Sequence, residues 1–430
     1  MNYKKYTLIV VLFVLITSCS DRSIPTKITK PKDYESYFTE QTSESLKAST
    51  ENLYYWEKRM KEAPNQYPYL QKIASSSTKL FSETGKIEYL KKAETTLLSL
   101  LKKSPKASTY RSLARNYISQ HRFRESLKLL KKAELNGEKS GLTQKMLFDV
   151  YLELGNYKKA EGYLNLIQNP DDFDYLIRAS KWNDVRGNLE TAISFLEKAL
   201  SIAESSKNNE LIMWSYTNLA DFYGHNNQIK KSYNFYLKSL ELDPQNAYAK
   251  KGIAWIVYSY ENNPKEAFRI INKIQENHQS PDYYLFKAEL AEYLNDEDSK
   301  KENIYKYLTS ASNPCYGEMY NQYNVKLYLD ELGQYKQAKN VIEREIKNRP
   351  TPESYDLLAW LAYNKGDYQK SLEIANEYVV GKSHEPEVLY HLAEIYKANS
   401  FIEKAQELKK ELIKSSYELG PLMIEKVKSI

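Results

Sequence analysis

A six-residue phrase that recurs about every 34 positions constrains this chain more than any other feature. The phrase is a glycine or other turn residue, a polar residue, an aromatic residue, two polar residues and a small residue. Its copies lie at 155–160, 333–338 and 366–371, with weaker copies at 187–192 and 121–126. The small residues Ser126 and Ala160 are 34 positions apart, and the steps from Ala338 to Ser371 and from Ser371 to Ala405 are 33 and 34. A period of this length indicates one supersecondary unit stacked many times.

Each copy of the phrase lies between two stretches in which apolar residues have helical spacing. The preceding stretch runs from Leu113 to Tyr117 in one copy and from Leu392 to Tyr396 in another. The glycine permits positive φ between two short helices, and the small residue of the second helix lets the two backbones approach. The chain has only 13 glycines and 14 prolines in 430 residues, which argues against a turn-dense all-β fold. The pattern therefore predicts an all-α chain of helical hairpins.

These residues resemble the tetratricopeptide repeat (TPR) family. Its pattern has leucine and a small residue early in helix A, tyrosine one turn later, Gly-x-Tyr at the turn, alanine in helix B and proline at the exit. The resemblance covers residues 73–419 and implies a right-handed α-α superhelix, a TPR solenoid of about nine or ten helical hairpins. The expected repeats are 73–106, 107–140, 141–174, 173–206, 213–246, 248–281, 283–318, 319–352, 352–385 and 386–419. The repeat at 283–318 departs most, because it lacks the turn glycine and has Glu302 at the small position.

Stacked repeats leave an apolar face at each end, so capping segments are expected outside them. Residues 34–72, with Leu53, Trp56 and Met60 at helical spacing, are the expected N-terminal capping helices. Residues 415–430 are the expected C-terminal capping helix. Bends are expected near 207–212 and 313–318.

The N-terminus has the pattern of a bacterial lipoprotein signal peptide at residues 1–18. Lys4 and Lys5 precede nine apolar residues, 8–16, too few for a membrane span of about 20. The segment that ends in Cys19 resembles a lipobox, which implies lipidation of Cys19, including a palmitate-type acyl chain. Residues 19–33 are then a flexible tether. The expected location is the bacterial cell envelope as a membrane-anchored lipoprotein, with the outer membrane favoured and the periplasmic or surface face left open.

Charge and motifs argue against nucleic-acid binding and against catalysis. The 62 basic and 56 acidic residues alternate locally, without a basic stripe. The five histidines have no zinc-helix spacing, and neither phosphate-binding glycine loops nor a nucleophile elbow occurs. Cys315 has no evident catalytic base beside it. We therefore expect a protein that is not an enzyme, with no cofactor and no metal site.

The family resemblance nominates a binding groove, because TPR grooves are lined by helix A at the second, fifth, ninth, twelfth and thirteenth places of each repeat. These places are occupied by Arg111, Arg115, Lys145, Asp149, Trp214, Thr217, Asp221, Tyr320, Tyr323, Asp356, Trp360, Tyr363, Tyr390 and Glu394. The nominated residues of the N-terminal repeats are mainly basic, whereas those of the C-terminal repeats are aromatic and acidic. The alternative for each aromatic residue is that it packs between helices.

Two functions follow from these expectations. The preferred one is a lipid-anchored cell-envelope TPR scaffold that binds a protein or peptide partner in its concave groove. The alternative is a glycan-binding surface lipoprotein of the TPR-containing sugar-receptor type, which the 39 tyrosines favour and the short joins between repeats disfavour. A TPR array fused to an enzyme is disfavoured because the repeats leave no room for a catalytic domain of about 100 residues.

Overall fold

The computed structural model describes residues 27–39 and 44–430, and these two ranges contain helices and no strand. The predicted all-α solenoid is confirmed. The predicted signal peptide 1–18 and Cys19 lie outside the described ranges. Within those ranges, every helix is too short or too polar to cross a membrane.

Ten helical hairpins, α4–α5 through α22–α23, form the body of the protein, and two of their first helices continue as π-helical segments at Ile256–Tyr260 and Leu327–Glu331. The helices are α1 (Pro31–Tyr34), α2 (Ser36–Thr39), α3 (Glu44–Glu62), α4 (Pro68–Thr84), α5 (Ile87–Lys103), α6 (Ala107–Ser119), α7 (Phe123–Asn136), α8 (Ser140–Glu153), α9 (Tyr157–Leu166), α10 (Phe173–Val185), α11 (Leu189–Ser206), α12 (Asn209–His225), α13 (Ile229–Leu242), α14 (Ala247–Trp255), α15 (Pro264–Gln275), α16 (Asp282–Tyr293), α17 (Glu297–Ala311), α18 (Asn321–Lys326), α19 (Tyr335–Asn348), α20 (Pro352–Asn364), α21 (Tyr368–Tyr378), α22 (Pro386–Ala398), α23 (Ile402–Lys414) and α24 (Ser416–Lys428).

Each of the ten hairpins turns on one residue with positive φ. Five of these residues are glycines and five are not: Gly85, Gly155, Gly187, Gly333, Gly366, His121, Asn227, Asn262, Asn295 and Ser400. Asparagine and histidine enter the left-handed region more readily than most side chains. The segment 282–311 is therefore a helical hairpin although Asn295 (φ 57°) replaces the expected glycine.

Small residues of the second helices pack under large residues of the first helices. Ala160 and Ala338 are fully buried, and Tyr151 is 4% exposed. At two of the places where serine is the small residue, its hydroxyl donates to a carbonyl of the preceding helix: Ser126 Oγ to Ala114 at 3.0 Å and Ser371 Oγ to Ala359 at 2.8 Å. The spacing of the phrase thus serves close helix packing.

The superhelix is wound so tightly that its successive turns touch. The backbone N–H of Gln279 donates to the carbonyl of Thr84 at 2.8 Å. Three more contacts join residues 187 to 227 positions apart: Asn348 Nδ2 to the His121 carbonyl at 2.7 Å, Arg349 Nη2 to Glu153 Oε2 at 2.9 Å, and Asn227 Nδ2 to the Lys414 carbonyl at 2.7 Å. Hairpins far apart in sequence therefore contact one another, and we call the concave side between them the lumen.

Residues 28–38, which we call the N-terminal strap, dock on the sixth hairpin. The backbone N–H groups of Ile28 and Thr29 donate to Glu261 Oε1 at 2.7 and 2.6 Å. Tyr34 is fully buried, and its hydroxyl donates to Glu266 Oε1 at 2.9 Å.

The strap corrects two expectations about the N-terminal region. The predicted tether 19–33 does not hold for residues 28–33, because they are bound to the protein surface. The predicted N-terminal capping helices 34–72 are also revised, because α1 and α2 lie far from the first hairpin along the superhelix. Only α3 covers the first hairpin, where Leu53 packs with Ile73 and Leu80.

The C-terminal helix α24 is kinked at Gly420 (φ 75°, ψ 167°). After the kink, Val427 and Ile430 complete the core of the last hairpins. Before it, the carbonyl of Tyr417 accepts hydrogen bonds from Trp255 Nε1 at 3.0 Å and Ser259 Oγ at 2.5 Å. Helix α24 therefore both covers the last hairpin and ties it to the preceding superhelical turn.

Candidate functional site

The predicted basic end of the groove is dispersed in the structure. Arg111 is 7% exposed, and its Nη1 donates to the Glu138 carbonyl at 2.8 Å and to Thr143 Oγ1 at 3.1 Å. Arg115 is exposed. The guanidinium of Arg111 is thus used to hold two hairpins together and is not presented to a partner.

The next predicted residues form ion pairs between adjacent hairpins. Lys145 Nζ lies 2.8 Å from Asp172 Oδ2 and 3.0 Å from Asp174 Oδ2, and Asp149 Oδ2 accepts from Arg178 Nη2 at 2.7 Å. Trp214 is 38% exposed, whereas Thr217 is buried and bonds to the backbone of its own helix.

The structure brings Asp356, Trp360, Tyr363, Tyr390 and Glu394 together. Trp360 is 7% exposed, and its ring stacks on those of Tyr363 and His391 with centroids 4.5 and 4.1 Å apart. The hydroxyl of Tyr363 donates to Glu394 Oε2 at 3.0 Å. This cluster packs between helices, as the alternative interpretation holds, so Trp360 does not serve as a surface anchor.

Asp221 and Tyr323, also predicted for the groove, belong to the fifth and eighth hairpins. Asp221 accepts hydrogen bonds from the hydroxyls of Tyr236 and Tyr248. Desolvation raises the pKa of Asp221. Tyr323 is 46% exposed, whereas its neighbour Tyr320 packs against Tyr307.

A cavity of about 400 Å³ lies in the lumen between the third and fourth hairpins on one side and the eighth to tenth on the other. Its charged lining residues are Glu153, Lys181, Asp184, Lys326, Arg349, Glu353, Asp356, Glu385 and Glu387. Hairpins so distant in sequence share one cavity because the superhelical turns stack.

The basic residues of this cavity are already paired. Lys181 Nζ and Arg349 Nη2 lie 2.7 and 2.9 Å from the two carboxylate oxygens of Glu153. Lys326 is paired with Glu387. These pairs hold the pKa of both carboxylates below the usual value despite desolvation.

Four other carboxylates, which we call the carboxylate cluster, have no ion-pair partner among the described residues: Asp184, Glu353, Glu385 and Glu418. Glu385 is open to the lumen, yet the surrounding protein desolvates it. This desolvation raises the pKa of Glu385 to about 7, with further contributions from the charges of Glu418, Glu353 and Asp184 and an opposing one from His225. Glu385 is therefore only partly ionised at neutral pH, and the negative charge of the cluster grows as the pH rises above 7.

A second cavity of about 410 Å³ adjoins the first, because Glu385 and Glu387 line both. Its apolar wall consists of Trp255, Pro386, Leu419, Leu422 and Met423. Its polar wall includes Lys426 and Glu289, whose pKa desolvation raises to about 7, with Glu292 and Glu387 adding to the effect. Together the two cavities offer carboxylates beside an apolar surface.

Among residues 27–39 and 44–430, no group of three or more metal-binding side chains is close enough to hold a metal ion.

Some lumen residues occupy the family's groove places although sequence reasoning missed them. Lys181 and Asp184 are the ninth and twelfth residues of the repeat at 173–206, and Glu353 and Glu387 are second residues of their repeats. Applying the same places to every repeat identifies all four. By contrast, Glu385 and Glu418 come from a loop and from α24, where no repeat place points to them.

Comparison with known proteins is consistent with this architecture. Two family models described as tetratricopeptide repeat match the sequence, one over residues 215–246 and one over residues 327–386. These spans correspond to the fifth hairpin and to the chain from the eighth hairpin to the start of α22. No curated protein matches the sequence.

Several solved structures resemble this one at low identity. A tetratricopeptide repeat protein from Parabacteroides merdae is 17% identical, with 57% of this chain and 94% of that chain covered and a TM-score of 0.39. Pseudomonas aeruginosa pilF is 16% identical, with 50% and 96% covered and a TM-score of 0.37. Human IFIT1, solved as a dimer with m7Gppp-AAAA, is 14% identical, with 75% of each chain covered and a TM-score of 0.47.

Proposed function

Because this chain is a tetratricopeptide repeat protein, we propose that it is a lipid-anchored scaffold of the bacterial cell envelope that binds a polypeptide segment in its lumen. The observation that carries the proposal is the lumen itself, in which the carboxylate cluster lies next to an apolar wall. A preformed site loses little conformational entropy when a segment binds to it.

Protein binding is favoured over the other functions that the sequence leaves open. The two cavities carry nine acidic and four basic side chains, so a phosphate backbone would be repelled. Of the aromatic residues predicted for the groove, Trp214 and Tyr323 are more than a third exposed, and they belong to different hairpins, the fifth and the eighth. We further propose that the protein has no catalytic activity, as is general for TPR scaffolds.

The anchor is proposed to be the lipid on Cys19, and the outer membrane is the favoured site. A diacylated and N-acylated cysteine binds a membrane stably, since each buried methylene contributes about 0.8 kcal/mol. The Cys19→Ala variant is expected to move from the membrane fraction to the soluble fraction, measured by immunoblotting after ultracentrifugation. If it stays in the membrane fraction after a carbonate wash, the lipid anchor is refuted.

The binding site is testable by photo-crosslinking in intact cells. A benzophenone side chain at Gln322, which lines the first cavity, is expected to crosslink one defined polypeptide. The same side chain at Gln369, which is exposed on α21, is the matched control. Equal crosslinking patterns from the two positions would show that the lumen is not the binding site.

A further inference from the structure

We propose that the carboxylate cluster binds the ammonium or guanidinium group of a lysine- or arginine-rich segment of the polypeptide partner. This inference rests on the proposed function and specifies the chemistry of the partner. It draws on the geometry of the cluster, the pairing of the nearby cations, one buried carboxylate oxygen and the shape of the second cavity.

The cluster is assembled by the winding of the superhelix. Asp184 belongs to α10, Glu353 to α20 and Glu418 to α24, and Glu385 immediately precedes α22. The turn after α10 packs tightly against the loop before α22: a Cβ atom on Gly187 would lie only 2.8 Å from Cγ of His384. This close packing places the end of α10, which carries Asp184, beside the loop that carries Glu385.

Neighbouring carboxylates disfavour each other's ionisation unless a cation lies among them. Three of the four cations in the two cavities are already used, since Lys181 and Arg349 pair with Glu153 and Lys326 pairs with Glu387; the fourth, Lys426, lies in the second cavity. The group that opposes the charge of Glu385 is His225. A ligand that supplies one or two positive charges would relieve this repulsion.

Asp356 provides an independent indication of a missing hydrogen-bond donor. It lines the same cavity and is 2% exposed. Its Oδ2 pairs with His391 Nδ1 at 2.7 Å, whereas its Oδ1 has no hydrogen-bond partner. Buried carboxylate oxygens are normally satisfied, so Oδ1 lacks the donor that such an oxygen ordinarily has.

The second cavity suits the rest of a long basic side chain. Lysine and arginine bury their methylene stems against apolar surface while the charged end stays among polar groups. Trp255, Leu419, Leu422 and Met423 supply such a surface beside Glu385. A bare metal ion has neither this stem nor, within the described residues, a set of three ligands to hold it.

Calorimetric titration of the full-length, detergent-solubilised protein with a tetralysine peptide tests the inference. We expect Glu385→Gln combined with Glu418→Gln to weaken binding at least tenfold at pH 8. The pair Glu403→Gln and Glu411→Gln, on the exposed side of α23, is the matched control and should bind as the unchanged protein does.

Binding should also depend on pH in a defined direction. A carboxylate with a pKa of about 7, as for Glu385, is mostly protonated at pH 6 and mostly ionised at pH 8, so the peptide should bind up to about tenfold more tightly at pH 8. Equal affinity of the lumen and control variants, or tighter binding at pH 6, would overturn the inference.

A titration with spermine and the photo-crosslink at Gln322 distinguish the remaining outcomes. If spermine binds and tetralysine does not, the site recognises a free polyamine and the inference is wrong. If a partner crosslinks at Gln322 but tetralysine neither binds nor competes, the proposed function stands and the cationic recognition fails. If tetralysine binds and no partner crosslinks, the proposed function fails and cation binding by the cluster stands.

Discussion

Replacing Gly85 with alanine is expected to separate the first superhelical turn from the next and to lower the free energy of unfolding by about 3 kcal/mol. Gly85 has φ 67°, and a Cβ atom there would lie 1.8 Å from the carbonyl oxygen of Gln279. A left-handed alanine costs about 1 to 2 kcal/mol, and forcing an atom into a packed contact costs about 1 to 3 kcal/mol more. The clash is with backbone, so no side-chain rotation relieves it.

The matched control is Gly366→Ala. Gly366 occupies the same turn place of the ninth hairpin with φ 79°, but its missing Cβ faces open space. The free energy of unfolding of this variant should therefore fall only by the cost of a left-handed alanine, about 1 to 2 kcal/mol. Urea unfolding gives the two free energies, and small-angle scattering gives the radius of gyration, which should rise for Gly85→Ala alone. Equal losses without expansion would mean that the contact at Gly85 does not hold the turns together.

The hairpins could be predicted from sequence because their determinants are local. A turn residue, a tyrosine and a small residue are spaced by the geometry of two helices, so the 34-residue period identifies the unit wherever it is strong. Some weaker copies of the phrase differ from the strong ones at the turn residue, which is also a local feature. His121, Asn227 and Ser400 take the left-handed conformation that glycine takes elsewhere, and a search for glycine overlooks them.

The groove was harder to predict because its accessibility depends on how tightly the superhelix is wound. The family's places identify Lys181 and Asp184, which line the first cavity. The same places also identify Arg111 and Trp360, which are used for packing between hairpins. Pitch is a sum of small rotations over many repeats, and no single repeat encodes it visibly.

The strap escaped prediction for a related reason. Residues 20–32 contain two prolines and no apolar period, which is typical of a linker. Residues 28–32 of this segment are nevertheless docked on the protein, because Glu261, more than 230 residues away, accepts the backbone N–H groups of Ile28 and Thr29. A binding surface that distant leaves no trace in the local composition.

Replacing Tyr34 with alanine is expected to release the strap and to lower the free energy of unfolding by about 3 kcal/mol. Tyr34 is fully buried, its hydroxyl bonds to Glu266, and its ring meets that of Phe38 edge-on with centroids 6.2 Å apart. Truncating a buried aromatic side chain typically costs about 3 to 5 kcal/mol, and the strap should detach before the hairpins unfold.

Hydrogen exchange at Ile28 and Thr29 reports detachment directly, because both amides donate to Glu261 in the docked strap. In Tyr34→Ala these amides should exchange rapidly while those of the hairpins stay protected. Tyr54→Ala is the control, since Tyr54 is 68% exposed and its loss should cost less than about 0.5 kcal/mol. A second variant, Glu261→Gln, replaces the charged hydrogen-bond acceptor with a neutral one. It should accelerate hydrogen exchange at the same two amides while the Tyr34 side chain stays buried. If the amides of Ile28 and Thr29 stay protected in both variants, neither the Tyr34 side chain nor the Glu261 carboxylate holds the strap on the sixth hairpin.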